Sequence, residues 1–198
     1  MAVSGGVLVG FVIGHFLGNL NLYLGPEHMN GYAEKLKSMP ALLWGTRFLL
    51  LFAVGAHIAS AFQLWTRKRA ARTTRYAKHR DLATDYAART MYLSGPILLL
   101  FIAYHLYHFT LAPSIPGDVY ATVVSGFQQP AVAALYIAGN LALGFHLFHG
   151  VHSAFQSLGI NHPSFNDRRR SLAVAIAALV TLGNISFPLS VLAGLVKV

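Results

Sequence analysis

PAVAALYIAGNLALGFHLFHGVHSAFQSL, residues 130–158, decides the architecture of this chain. The stretch holds no Asp, Glu, Lys or Arg and opens on a proline, which suits the first turn of a helix. It exceeds the roughly 20 apolar residues that cross a bilayer as a helix, so it is expected to tilt or to project beyond the hydrocarbon. Four further apolar stretches accompany it, at 4–24, 41–65, 90–111 and 171–196. The first stops at Gly25-Pro26, the third carries Gly95-Pro96 in its opening turns and closes before Pro113, and the fifth holds Pro188, an expected kink. The reading is an all-α membrane protein with five transmembrane helices, forming a single membrane domain over residues 1–198. Between the first two spans, EHMNGYAEKLKSMP (27–40) is amphipathic and is expected to lie in the membrane interface. The segment between the third span and Gln129 carries almost no charge and reads as a loop.

Composition agrees. Of 198 residues, 55% are hydrophobic and 11% charged, against about a quarter charged in a soluble domain. The absence of cysteine excludes disulfides, cysteine-ligated zinc, iron–sulfur ligation within this chain and thioether-linked haem. Any haem would therefore be held non-covalently. A net charge of +9 would suit a nucleic-acid binder. The basic residues, however, gather between apolar spans, where a topology signal explains them, and no nucleic-acid partner is expected. The opening MAVSGGVLVGFVIGHF lacks a basic n-region and a clear small-residue cleavage site, so it reads as a retained first helix.

Orientation follows from Lys and Arg. Of the 15, eight lie within 67–89, and Arg168, Arg169 and Arg170 precede the fifth span. Five spans put both groups on one side, with Lys35, Lys37 and Lys197 on the other. The positive-inside rule then places the N-terminus in the cytoplasm and the C-terminus outside the cytoplasmic (inner) membrane.

Ionisable residues inside a membrane are costly and usually mark function. Four spans carry a histidine near mid-membrane, His15, His57, His105 and His146, and the fifth carries none. One buried histidine is ordinarily a hydrogen-bonded packing residue. Four, on four helices, would each need a partner in an interior nearly free of carboxylates. Depth sorts them into pairs: His15 with His105 nearer the outside, His57 with His146 nearer the inside. Bis-imidazole ligation of a haem iron needs two neutral histidines on different helices facing each other. The expectation is two b-type haems stacked across the membrane, within a bundle of four of the five helices.

Gly14, Gly18, Gly55, Ala56, Ala103, Gly139, Gly144 and Gly150 flank these histidines, where a larger side chain would block a flat macrocycle. Ordinary small-residue helix packing explains them equally well. His108, His149 and His152 share helices with the favoured residues, and spacing leaves them open as ligands, because a shift of three residues moves a ligand only about 4.5 Å along the axis. The fragments YHLYH (104–108) and FHLFH (145–149) look alike, which hints that their first histidines share a role. His28, His79 and His162 fall between spans.

Together SGGVLVGFVIGHFLGNLNLYLGPE (4–27), GAHIASAFQLW (55–65), FIAYHLYHF (101–109) and GFHLFHGVHSAFQSLGI (144–160) resemble the cytochrome b558-type membrane anchors of succinate:quinone oxidoreductases, the five-helix, two-haem class shared with quinol:fumarate reductases. The likeness covers nearly the whole chain. In that family the last ligand is the histidine of HxxxGxxS, here His146 with Gly150 and Ser153, so the resemblance favours His146 over His149. It also implies partners: a flavoprotein subunit that oxidises succinate and an iron–sulfur subunit that passes electrons on. The anchor's haems would carry these to a quinone, menaquinone or ubiquinone. His57 and His146 would hold the haem proximal to the iron–sulfur subunit, and His15 and His105 the distal one. The basic loop is a candidate docking surface for those subunits.

One departure stands out. Some fumarate reductases of this class have a membrane carboxylate two residues before the ligand of the fourth span, implicated in proton movement, and that position here is Gly144. The quinone site is weakly marked: Glu34, His28 and Lys37 follow the first span, and Arg47 enters the second on the same side. Two other functions compete. A haem-free transporter or metal permease would line a pathway with histidines, but the spans lack carboxylates and matched interrupted helices. The anchor of a hydrogenase or formate dehydrogenase would also carry two b haems, and only the resemblance argues against it.

Overall fold

The computed structural model describes residues 1–71, 86–160 and 162–198. Arg72, Arg75, Lys78, His79 and Arg80 of the basic loop lie outside the described residues. Seven helices form within the described residues: α1 (Ala2–Asn19), α2 (Pro26–Lys37), α3 (Pro40–Ala70), α4 (Tyr86–Leu106), α5 (Val119–Phe127), α6 (Pro130–Ser157) and α7 (Asn166–Leu192), and no strand appears among them. Five are long and apolar enough to cross a membrane: α1 with its 3-10 extension to Leu24, α3, the segment Arg89–Leu111, α6, and α7 with its entry turn from Pro163. The chain is a multi-pass membrane protein.

Local chemistry sets the ends. Proline occupies the first turn of α2, α3 and α6, where its missing N–H costs nothing. Gly25, at φ 97°, turns the chain from the first span into α2, a backbone conformation that other residues avoid. Glu27 in the first turn of α2 and Lys35 and Lys37 in its last complement the helix dipole. Two spans run past their expected limits. α3 continues to Ala70 and α7 begins at Asn166, because Arg and Lys are good helix formers that snorkel from a helix end. Arg169 is more than a topology signal: it is buried, donates to the Ile160 carbonyl at 2.7 Å and bonds the Asn166 side chain, closing the α6–α7 turn.

The segment before Gln129, read as a loop, contains α5. Asp118 caps it by accepting from the Ala121 N–H at 2.9 Å. Asn30 of α2 reaches across, donating to Asp118 (2.9 Å) and accepting from the Tyr120 N–H (3.0 Å). Tyr120, Val124 and Phe127 are buried, so α5 plugs one end of the bundle. These hydrogen bonds, that from Ala121 first and that from Asn30 second, hold the Asp118 carboxyl below its ordinary range. A depressed folded pKa means that the stabilisation is present above the ordinary carboxylate range and is lost as pH falls through the lower folded value. The melting temperature of the purified protein should therefore fall on acidification, and Asp118→Asn should lose part of that dependence.

Lipid is as apolar as leucine, so helices in a membrane associate through close packing rather than burial from water. α6 is the central helix, packed on α7, α4 and α1, whereas α3 leans on α1 and α2 and buries only Ala53. Glycines set several close approaches, among them Gly139, where a Cβ would strike the Phe101 ring, Gly144, where it would strike the Thr181 hydroxyl, and Gly183, where it would strike the Phe16 ring. Phe16 is itself buried with Phe187 in the main core. Gly183→Ala is expected to cost about 1–3 kcal/mol by overpacking, seen as a lower melting temperature in detergent. Gly45→Ala, where a Cβ meets nothing within 4 Å, should not lower it.

Candidate functional site

α1 and α4 bring His15 and His105 together, with ring centroids 5.7 Å apart and planes at 86°. α3 and α6 bring His57 and His146 together at 6.1 Å and 58°. These are the two pairs expected from depth. An imidazole nitrogen binds a metal at about 2 Å and the ring centre sits about 1 Å behind it, so two imidazoles on opposite sides of one iron hold their centroids about 6 Å apart. Both pairs have that separation.

Three helices fix the depth difference independently. Ser4 of α1 hydrogen-bonds His57, Ser94 of α4 hydrogen-bonds His146, and Tyr136 of α6 hydrogen-bonds His105. Ser4 to His15, Ser94 to His105 and Tyr136 to His146 each span about 15–17 Å of helix axis at 1.5 Å per residue. The two pairs thus sit one above the other along the bundle.

The ring nitrogens are sorted as well. Nδ1 of His57 lies 3.4 Å from Ser4 Oγ, Nδ1 of His146 lies 3.2 Å from Ser94 Oγ, and Nδ1 of His105 lies 3.4 Å from Tyr136 Oη. A hydroxyl on Nδ1 fixes the ring and leaves Nε2 for a metal, the outer-shell arrangement that metal-bound histidines favour. His15 is held instead by stacking on Phe11, with centroids 5.4 Å apart and planes within 14°. None of the four imidazoles is fully buried by protein. A Cβ on Gly14, Gly55 or Gly150 would meet nothing within 4 Å, which leaves room beside the rings for a flat group. The donor set and spacing fit two bis-histidine haems. Gly18, Gly139 and Gly144 serve a different purpose: there a Cβ would strike Tyr32, Phe101 and Thr181, so these three allow helices to close.

Other expected residues fall as follows. His108 stacks on Phe109, centroids 4.2 Å apart, with Nδ1 3.1 Å from Tyr136 Oη. It sits in a π-helical segment, Tyr107–Leu111, that extends α4. His28, Glu34, Lys37 and Arg47 are exposed, and the Arg47 guanidinium lies 4.9 Å over the Trp44 ring. His28 belongs to α2, and His162 caps the short turn Pro163–Phe165 through Ser164. At Gly144, two residues before His146, Thr181 fills the space a side chain would need.

Ser4, Ser94 and Tyr136 were not singled out from sequence. A signal was present for the two serines: each precedes a histidine by about three helical turns, which puts both on one face of the span. Tyr136 had no such mark, because a tyrosine in an apolar span is commonplace.

A family model, described as the succinate dehydrogenase/fumarate reductase transmembrane subunit, matches residues 63–185. The matched region contains His105 and His146, whereas His15 and His57 precede it. No curated protein and no solved structure matches the chain. With five membrane-spanning helices and a match over more than half its length, this chain belongs to the succinate dehydrogenase/fumarate reductase transmembrane subunit family.

Proposed function

We propose that this chain is the di-haem cytochrome b anchor of a succinate:quinone oxidoreductase. The observation that carries the reading is the pair of imidazole couples, 5.7 Å and 6.1 Å between centroids, at two levels of one bundle. His57 and His146 would hold the proximal haem iron, and His15 and His105 the distal one. When bound, the haems supply one-electron carriers between an iron–sulfur partner subunit and membrane quinone. The chain's own residues do the rest. Ser4, Ser94 and Tyr136 orient three ligand rings through Nδ1, and Phe11 orients the fourth. Phe101, Tyr104, Phe109 and Phe127 pack around Tyr136 and bury the hydroxyl that meets His105.

The basic end of the bundle, at Arg67–Arg69 and Arg168–Arg170, faces the cytoplasm in this reading and meets the flavoprotein and iron–sulfur subunits. Quinone reacts near the opposite end, where His28, Glu34 and Arg47 are the candidates for its oxygens. Gentle solubilisation and affinity purification of this chain tests the assembly. A flavoprotein and an iron–sulfur protein should copurify, and the complex should reduce quinone with succinate. Recovery of the chain with neither partner would contradict it.

A further inference from the structure

Two histidines, one in α4 and one in the π-helical segment that extends it, converge on one hydroxyl. Tyr136 Oη lies 3.4 Å from Nδ1 of His105 and 3.1 Å from Nδ1 of His108. Tyr136 is 4% exposed and is ringed by Phe101, Tyr104, Phe109 and Phe127, so no water competes for its hydroxyl. The second histidine is seated with care. The π-helical segment Tyr107–Leu111 carries His108, and Gly126 of α5 makes room for it, since a Cβ there would come within 2.7 Å of the His108 ring.

A phenol has one proton to give. A neutral His105 that binds iron through Nε2 carries its proton on Nδ1, so Nδ1–H donates to Tyr136 Oη. The Tyr136 O–H is then directed at the other nitrogen, Nδ1 of His108, which must accept. The hydrogen bonds run one way: His105 to Tyr136 to His108. Donation by Tyr136 to His108 makes the phenol oxygen a better acceptor, because bonds in a chain polarise one another. A stronger acceptor on Nδ1–H makes the His105 ring a more basic ligand, which favours the oxidised metal.

We infer that Tyr136, backed by His108, is a positioning residue that sets the orientation and the reduction potential of the distal haem through His105. The inference rests on the di-haem reading. His57 and His146 meet serines instead, whose hydroxyls donate to the Met1 and Met91 carbonyls, so no second histidine backs the proximal pair.

The test is a redox titration of both b haems, with electron paramagnetic resonance of the oxidised state, in the wild-type complex and three variants. Tyr136→Phe should raise the distal midpoint by about 59 mV, equivalent to a tenfold shift of a one-electron equilibrium towards the reduced form. It should also move the distal low-spin signal and leave the proximal haem unchanged. His108→Leu should raise the distal midpoint by a smaller amount, and His108→Asn, which keeps an acceptor, should restore most of it. An unchanged distal midpoint and signal in Tyr136→Phe, with both haems retained, would overturn the inference and leave the di-haem reading standing. If Tyr136→Phe sheds the distal haem, His108→Leu decides: a raised midpoint supports the chain, an unchanged one overturns it. A wild-type complex without two b haems would defeat the underlying reading itself.

Discussion

His146→Ala is expected to abolish the proximal b-haem signal while the distal haem keeps its spectrum. The ring of His146 faces His57 across 6.1 Å, so on the di-haem proposal alanine would leave His57 as the single ligand of that pair. Ser94, which is buried, would also lose its contact with Nδ1. Even changes to outer-shell partners cost metal sites about 10–100-fold in affinity or activity, so loss of a ligand should cost more than about a hundredfold in succinate-driven quinone reduction. Reduction of a soluble dye by the partner subunits should survive. His149→Ala is the control, one turn away on α6, and should retain both haems in a reduced-minus-oxidised spectrum. Loss of a haem in His149→Ala but not in His146→Ala would show that the register along α6 is wrong.

His105→Ala should give the complementary result. The distal signal disappears, the proximal haem remains, and quinone reduction falls by more than about a hundredfold. His15→Ala should match it, since His15 and His105 face each other at 5.7 Å. His108→Ala should not, because that ring stacks on Phe109 and bonds Tyr136. A low-temperature difference spectrum of the three variants separates these outcomes. If His105→Ala instead removed the same haem as His146→Ala, the division into two levels would be refuted.

Much of this was legible in sequence because a membrane restricts what a chain can do. Five apolar runs gave five spans, and the alternation of direction along them was enough to sort four histidines into two pairs by depth. What the sequence did not reveal was set by packing. α5 was missed because VYATVVSGF is too short to look like a span, and its cap on Asp118 is completed by Asn30, distant in sequence. His108 stayed open as a ligand because spacing cannot tell which of two rings one turn apart faces inward. The π-helical segment and Gly126, which seat it against Tyr136, leave no pattern in a single sequence. The glycines show the same limit. Gly14 and Gly144 look alike in the chain, yet one has open space beside it and the other holds Thr181.

Two haems per chain are tested most directly by the haem content of the purified wild-type complex, set against the amount of this chain and resolved by redox titration. Two b haems per chain, titrating as separate components and each lost singly when its own histidine pair is broken, is the predicted result. One haem or none per chain, or two haems that survive loss of both His57 and His105, would contradict it.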